Sequence, residues 1–183
     1  MWEVRAETPA DFDAIAEVHV AAFAPSLDEA ALVEALRAAD EHVAQLCLVA
    51  LLGGEVAGHV AFSRAKLESG DPILVLGPLG IRPARQGRGA GSALVAEGLR
   101  RAAGTDCALI VVLGRPEFYE RFGFEAAGAV GVEAPCEAPG EAWMAVALGP
   151  PADTSGAPGR IVFPEAFRSF QTASIKERGI GRG

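Results

Sequence analysis

Apolar residues along this chain follow two spacings, one helical and one extended. At three- and four-residue spacing, Phe12, Ile15, Ala16, His19, Ala22 and Phe23 form one stripe. Thr8-Pro9 precedes it as an N-cap with proline at the first helical position, and Asp11 falls in the first turn, so a helix to about Phe23 is expected with His19 on its apolar face. Ala24-Pro25 interrupts it, and SLDE (26 to 29) then reads as a capping box, Ser26 the cap and Glu29 reaching back, opening a helix with Leu32 and Leu36 on one side. SALVAEGLRRAA (92 to 103) repeats the pattern through Leu94, Val95 and Leu99 with its arginines late, and PEFYERFGF (116 to 124) is a short helix stopped by Gly123.

The extended runs lie between these stripes. VRAE (4 to 7) is a short strand, and QLCLVALLGGEVAGHVAFSR (45 to 64) holds two β-rich runs around Gly53-Gly54, the pattern of an antiparallel hairpin. Ile73 to Ile81 is a further strand, but Gly77, Pro78 and Gly80 would damage a regular ladder, which predicts a bulge or a splayed edge. CALIVVLG (107 to 114) is apolar throughout, as a central strand buried on both faces would be. Strands near Val130 to Glu133 and at WMAVAL (143 to 148) follow, giving the order β-αα-βββ-α-β-α-ββ. Residues 1–148 read as one domain and 149–183 as a Gly- and Pro-rich extension, in which GRIVFPEAF (159 to 167) is able to pack and KERGIGRG is loose.

Composition narrows the field. With 183 residues, half of them hydrophobic, the chain can bury one sizeable core. Its longest apolar runs fall short of the ~18 residues of a spanning helix, and MWEVRAETPADFD carries charge where an export signal needs an apolar stretch, so a cytoplasmic protein with no membrane role is expected. Cys47, Cys107 and Cys136 are odd in number and widely spaced, which supports neither a disulfide framework nor a metal site. A net charge of −8 argues against a nucleic-acid surface.

Against that acidic background, LGIRPARQGRGAGSAL (79 to 94) gathers three arginines and four glycines between a strand and a helix. A strand, a glycine turn and a helix N-terminus together form an anion site, because free N–H groups and the positive end of a helix dipole face the same point. Two phosphate motifs fail here: no lysine follows Gly91 as a P-loop requires, and the G-x-G-x-x-G register ends on Ser92 or on Leu94.

What stands is Q-G-R-G-A-G after a strand, in which Gln86, Gly89 and Gly91 match the Q/R-x-x-G-x-G/A signature of the GCN5-related N-acetyltransferases (GNAT). With VVLGRPEFYERFGF, AGHVAFSR and GRIVFPEAF, most of the chain resembles the YhbS-type branch of that family. The resemblance implies an α/β fold of the acyl-CoA N-acyltransferase type: a mixed, mostly antiparallel sheet with a splayed strand pair and flanking helices. It implies acetyl-CoA as co-substrate, an amine acceptor attacking directly in a ternary complex, and often a homodimer. Leu79 and Ile81 would pair with pantetheine, a backbone N–H near Gly80 or Ile81 would meet the oxyanion, and the amides of Gln86, Gly87, Arg88, Gly89, Ala90, Gly91 and Ser92 would hold the pyrophosphate. Arg85 and Arg88 would add charge there. Tyr119, the single tyrosine of the chain, would protonate the leaving thiolate.

The base is open in the sequence. The strand Ile73 to Ile81 has no carboxylate; His59 on the hairpin is one candidate, Asp28 and Glu29 lie on the expected acceptor side, and a water relay needs no side chain. An acceptor pocket is expected between the first two helices and the loop Ala134 to Glu141, where Glu133, Glu137 and Glu141 would favour a cationic amine. A different class, an acyl-CoA-binding regulatory domain without turnover, would share the turn.

Overall fold

The computed structural model describes residues 1–133, 140–148 and 159–168; Cys136, Glu137 and the KERGIGRG end lie outside them. Among the described residues, nine strands form a sheet system: β1 (Glu3–Ala6), β2 (Leu48–Leu52), β3 (Glu55–Leu67), β4 (Pro72–Ile81), β5 (Leu109–Leu113), β6 (Glu125–Ala126), β7 (Val132–Glu133), β8 (Trp143–Ala147) and β9 (Gly159–Val162). Among the described residues, α-helices accompany them at α1 (Phe12–Phe23), α2 (Asp28–Ala38), α3 (Ala90–Ala102) and α4 (Pro116–Tyr119), and residues 165–168 are helical as well. The main sheet runs β1-β2-β3-β4-β5-β8-β6, with β4 and β5 its parallel pair and the other neighbours antiparallel.

The long apolar runs are explained by burial on both sides. Along β2, β3, β4 and β5, alternate residues enter opposite layers: Leu48, Val60, Leu74 and Ile110 pack with Leu94 and Val95 of α3, whereas Ile73, Val75, Leu109 and Val111 pack with Leu32 and Leu36 of α2. Val49 and Ala61 face Ile15 and Val18 of α1, on the same side of the sheet as α2. Gly53 and Gly54, both at positive φ, close the two-residue hairpin between β2 and β3.

Three local details differ from the sequence pattern. The α1 stripe buries Val18 rather than Phe12, whose partly exposed ring lies 4.1 Å beneath the Arg37 guanidinium. Thr8 is the N-cap, but of a 3-10 turn (Pro9–Asp11) ahead of α1, and its N–H and hydroxyl each donate to the Asp11 carboxylate at 2.8 Å, which Arg5 clamps with two further bonds of 2.7 and 2.8 Å. At SLDE, Ser26 Oγ accepts from the Asp28 N–H at 3.2 Å and donates to Glu29 Oε2 at 3.0 Å, so Glu29 contacts the cap's hydroxyl.

The segment after β8 enters the core. β9 pairs with the end of β3 (Lys66 with Val162, Leu67 with Ile161) and with β7, and Phe163 and Phe167 join the layer of α2 and Trp143. That layer is therefore completed from the far end of the chain.

Candidate active site

The interruption at Gly77-Pro78 becomes the opening of the site. Val60 pairs with Leu79 but Phe62 with Leu76, so two residues of β4 stand opposite one of β3. On the other side β4 pairs with β5 only through Leu74 with Ile110 and Val75 with Val111. From Leu76 to Ile81 that edge has no strand partner among the described residues, and a cleft of about 960 Å³ passes through the sheet where the strands part.

One limb of the cleft is polar. Leu79 and Ile81 lead into it, followed by Arg85, Gln86, Gly87, Gly89, Ala90, Gly91 and Ser92. Gly87 and Gly89 hold φ of 71° and 87°, a region open to glycine and strained for other residues, and this turns the chain straight into α3. As a result the backbone N–H groups from Gly87 to Ser92 donate to no acceptor among the described residues, and the first helical bond is Ala93 N–H to the Gly89 carbonyl. No acidic residue occupies the first turn of α3, so its positive dipole end is uncompensated. Two side chains brace the turn: the Trp2 indole donates to the Arg88 carbonyl at 2.7 Å, and Gln86 Nε2 donates to the Ile81 carbonyl at 3.1 Å.

Tyr119, at the end of α4, also lines the cleft. Its ring is held edge-on by Phe118 and Phe124, with centroids 4.9 and 5.5 Å away, and occupies the space a Cβ on Gly114 would need. The hydroxyl has no hydrogen-bond partner among the described residues, and burial pushes its pKa up to about 12, so it keeps its proton at neutral pH. Arg115 and Arg121 line the cleft as well; Arg121 lies 4.8 Å over the Phe118 ring and donates to Ser92 Oγ at 3.0 Å.

The other limb is apolar. It is walled by Phe23 and Leu32 from the first two helices, by Trp143 of β8, and by Phe163 and Phe167. Glu29 is the carboxylate on this wall among the described residues, and only 4% of it is exposed. The indole N–H of Trp143 is buried without a partner.

Three residues expected at the site are placed elsewhere. His59 is fully buried and does not line the cleft. Its Nε2 lies 2.8 Å from Glu7 and its Nδ1 lies 2.8 Å from His19 Nε2, while Glu7 takes two bonds from Arg37 at 2.9 and 2.7 Å. Both ring nitrogens are engaged, so His59 has no atom to offer an acceptor amine. The Arg88 side chain is likewise not on the cleft wall. Gly80 turns its Cα toward the His19 ring; a Cβ there would lie 2.9 Å from His19 Nδ1, which makes Gly80 a packing requirement.

Sequence reasoning passed over Arg115, Arg121, Trp143, Phe163 and Phe167. The two arginines could have been found, since they flank Tyr119 within R-P-E-F-Y-E-R. The aromatic residues carried no such signal, because an apolar run does not say which layer it will complete.

The model of the acetyltransferase (GNAT) family matches residues 12–124. Among curated proteins, the chain is 37% identical over 145 residues to the uncharacterized N-acetyltransferase YjhQ of Escherichia coli, covering 75% of this chain and 80% of that protein. It is 37% identical over 126 residues to the uncharacterized N-acetyltransferase YhbS of the same species, covering 68% and 74%. Among solved structures, E. coli YhbS in complex with CoA has a TM-score of 0.82 at 31% identity, covering 91% of this chain and 92% of that one. A GNAT family acetyltransferase from Brucella melitensis in complex with acetyl-CoA has a TM-score of 0.74 at 34% identity, covering 91% and 98%.

Proposed function

The chain belongs to the acetyltransferase (GNAT) family, and from that premise we propose that it transfers the acetyl group of acetyl-CoA directly to a primary amine within a ternary complex. The observation that carries this reading is the row of unpartnered amides from Gly87 to Ser92 opening into the same cleft as the Tyr119 hydroxyl. Unpaired N–H groups at a helix N-terminus suit a pyrophosphate. Arg85 and Arg121 add positive charge on the same limb.

The other roles follow from position. The unpaired edge of β4 beyond Leu76 offers backbone groups to the pantetheine amides, as an added strand would meet them. Of Gly80 and Ile81, it is the N–H of Ile81 that faces away from β3 toward the unpaired edge, and it would stabilise the oxyanion that forms when the amine nitrogen attacks the thioester carbon. The C–N bond forms, the C–S bond breaks, and Tyr119 gives its proton to the departing sulfur. The ammonium proton that must leave before attack passes to water in the cleft, because His59 is sealed inside the protein.

Titration calorimetry of the full chain with acetyl-CoA and with CoA, against NAD as a control anion, tests this function. Saturable micromolar binding of the first two without the third is the expected result. No saturation with acetyl-CoA would remove the basis for the reading.

A further inference from the structure

The turn from Gly87 to Ser92 is held from outside the cleft by Trp2, and that contact bears on how the turn meets a phosphate. This inference rests on the proposed pyrophosphate site and deepens it. Trp2 stands just ahead of β1, the strand at one edge of the main sheet, and its ring packs against the core layer that holds Leu94 and Val95 of α3. Its indole N–H donates to the Arg88 carbonyl at 2.7 Å, across 86 residues of chain. Gly89 lies on the cleft wall, whereas Trp2 and Arg88 do not.

The Arg88–Gly89 peptide is trans, so its carbonyl and its N–H point in opposite directions. With the carbonyl turned to Trp2, the Gly89 N–H is aimed away from Trp2, and it meets no acceptor among the described residues. The glycines on either side of Arg88 make this orientation one of two. Gly87 and Gly89 hold φ of 71° and 87°, but glycine visits both signs of φ at similar cost, so the peptide between them is free to rotate unless something holds it. Rotated the other way, it would present a carbonyl oxygen to the pyrophosphate in place of a donor.

We propose that Trp2 is a positioning residue for the coenzyme: its indole N–H fixes the Arg88–Gly89 peptide in the orientation that turns the Gly89 N–H toward the pyrophosphate. An indole suits the task, because its donor is carried on a rigid ring whose apolar body is already packed. Gln86 secures the start of the turn through its bond to the Ile81 carbonyl at 3.1 Å, and Trp2 decides the part that follows.

The test compares ligands with and without the pyrophosphate. The full chain and Trp2→Phe, a change that keeps an aromatic ring and removes the N–H, are each titrated with acetyl-CoA and with S-acetylpantetheine, which lacks the pyrophosphate and the nucleotide. The expected result is an acetyl-CoA Kd raised about fivefold, the worth of one neutral hydrogen bond, with the S-acetylpantetheine Kd changed by less than about twofold. A purely structural role would weaken both ligands alike, so an equal change in the two, or no change in either, overturns the proposal. A second measurement needs no variant: in the parent protein the NMR signal of the Trp2 indole N–H should move on saturation with acetyl-CoA and stay in place with S-acetylpantetheine. A signal that moves with neither, or equally with both, overturns the proposal even where Trp2→Phe fails to fold. Failure of the parent to bind acetyl-CoA overturns the pyrophosphate reading as well, and the calorimetric titration separates that case.

Discussion

Two polar regions of this protein use similar chemical groups in opposite ways. In the chain Arg37–Glu7–His59–His19, charge and hydrogen-bonding capacity are buried and paired atom to atom; in the turn from Gly87 to Ser92, backbone donors are exposed and left without partners. Burial pushes the Glu7 carboxyl up, but the bonds from His59 and Arg37 outweigh it and hold its pKa at about 2. With Glu7 ionised, His59 donates Nε2–H to it and accepts at Nδ1 from His19 Nε2–H, which leaves His19 Nδ1 as a bare acceptor against Gly80. Burial keeps both rings neutral, lowering His19 to about 3 and His59 below its usual value despite Glu7. The difference teaches that a saturated polar chain ties elements together, here the residue just after β1 to α1, α2 and β3, whereas unsaturated donors at an open turn are free to meet a ligand.

If that contrast is right, stability and binding should separate cleanly on mutation. The largest effect is expected from Glu7→Ala, which strands Arg37 and His59 beneath the surface; breaking a buried pair costs about 3–5 kcal/mol. Calorimetry should show Tm lowered by roughly 10 °C, and a fall of under about 2 °C would mean the chain is not a tie. Gly89→Val should do the reverse: its Cβ would meet only Trp2 Nε1, at an ordinary contact of 4.0 Å, but its φ of 87° is strained for valine, so the fold stays while the turn distorts. Acetyl-CoA affinity should drop at least a hundredfold, about 2.7 kcal/mol, and an unchanged Kd would falsify the placement of the pyrophosphate.

Acid gives the third expectation. His19 and His59 bind a proton readily only when unfolded, so stability is full above about pH 6.5 and declines as pH falls toward 3. His19 contributes a slope of about 1.4 kcal/mol per pH unit in that window, His59 adds one of the same sign, and Glu7 adds to it between 4.5 and about 2. Tm measured at pH 7.5, 6 and 5 should be flat and then fall, and His19→Leu should flatten that fall; a profile that is level down to pH 5 refutes the neutral pair. The smallest change is reserved for the cleft: Tyr119→Phe should slow turnover about tenfold, 1.4 kcal/mol in the barrier, with acetyl-CoA affinity unchanged. Equal rates would leave sulfur to take its proton from water.

Much of the site was legible because its signals are local. Gln86, Gly89 and Gly91 declare a turn that only glycine-rich sequence can make, and Gly77, Pro78 and Gly80 declare a strand that cannot keep its ladder. His59 was misleading for the opposite reason. Nothing near it in sequence reveals Glu7, 52 residues away, or His19, 40 residues away, so a saturated structural histidine looks identical to a free base.

The sequence by itself determined the helices, the hairpin, the doubly buried strands and the glycine turn, since each follows from periodicity or from backbone freedom within a few residues. Tertiary structure alone decided which polar groups would be used up and which left over. It also decided that Phe163 and Phe167, from the far end of the chain, would wall the same cleft as Phe23 and Leu32. The physical reason is that burial and pairing are properties of neighbours in space: an apolar or titratable side chain acquires its role only when distant segments close around it.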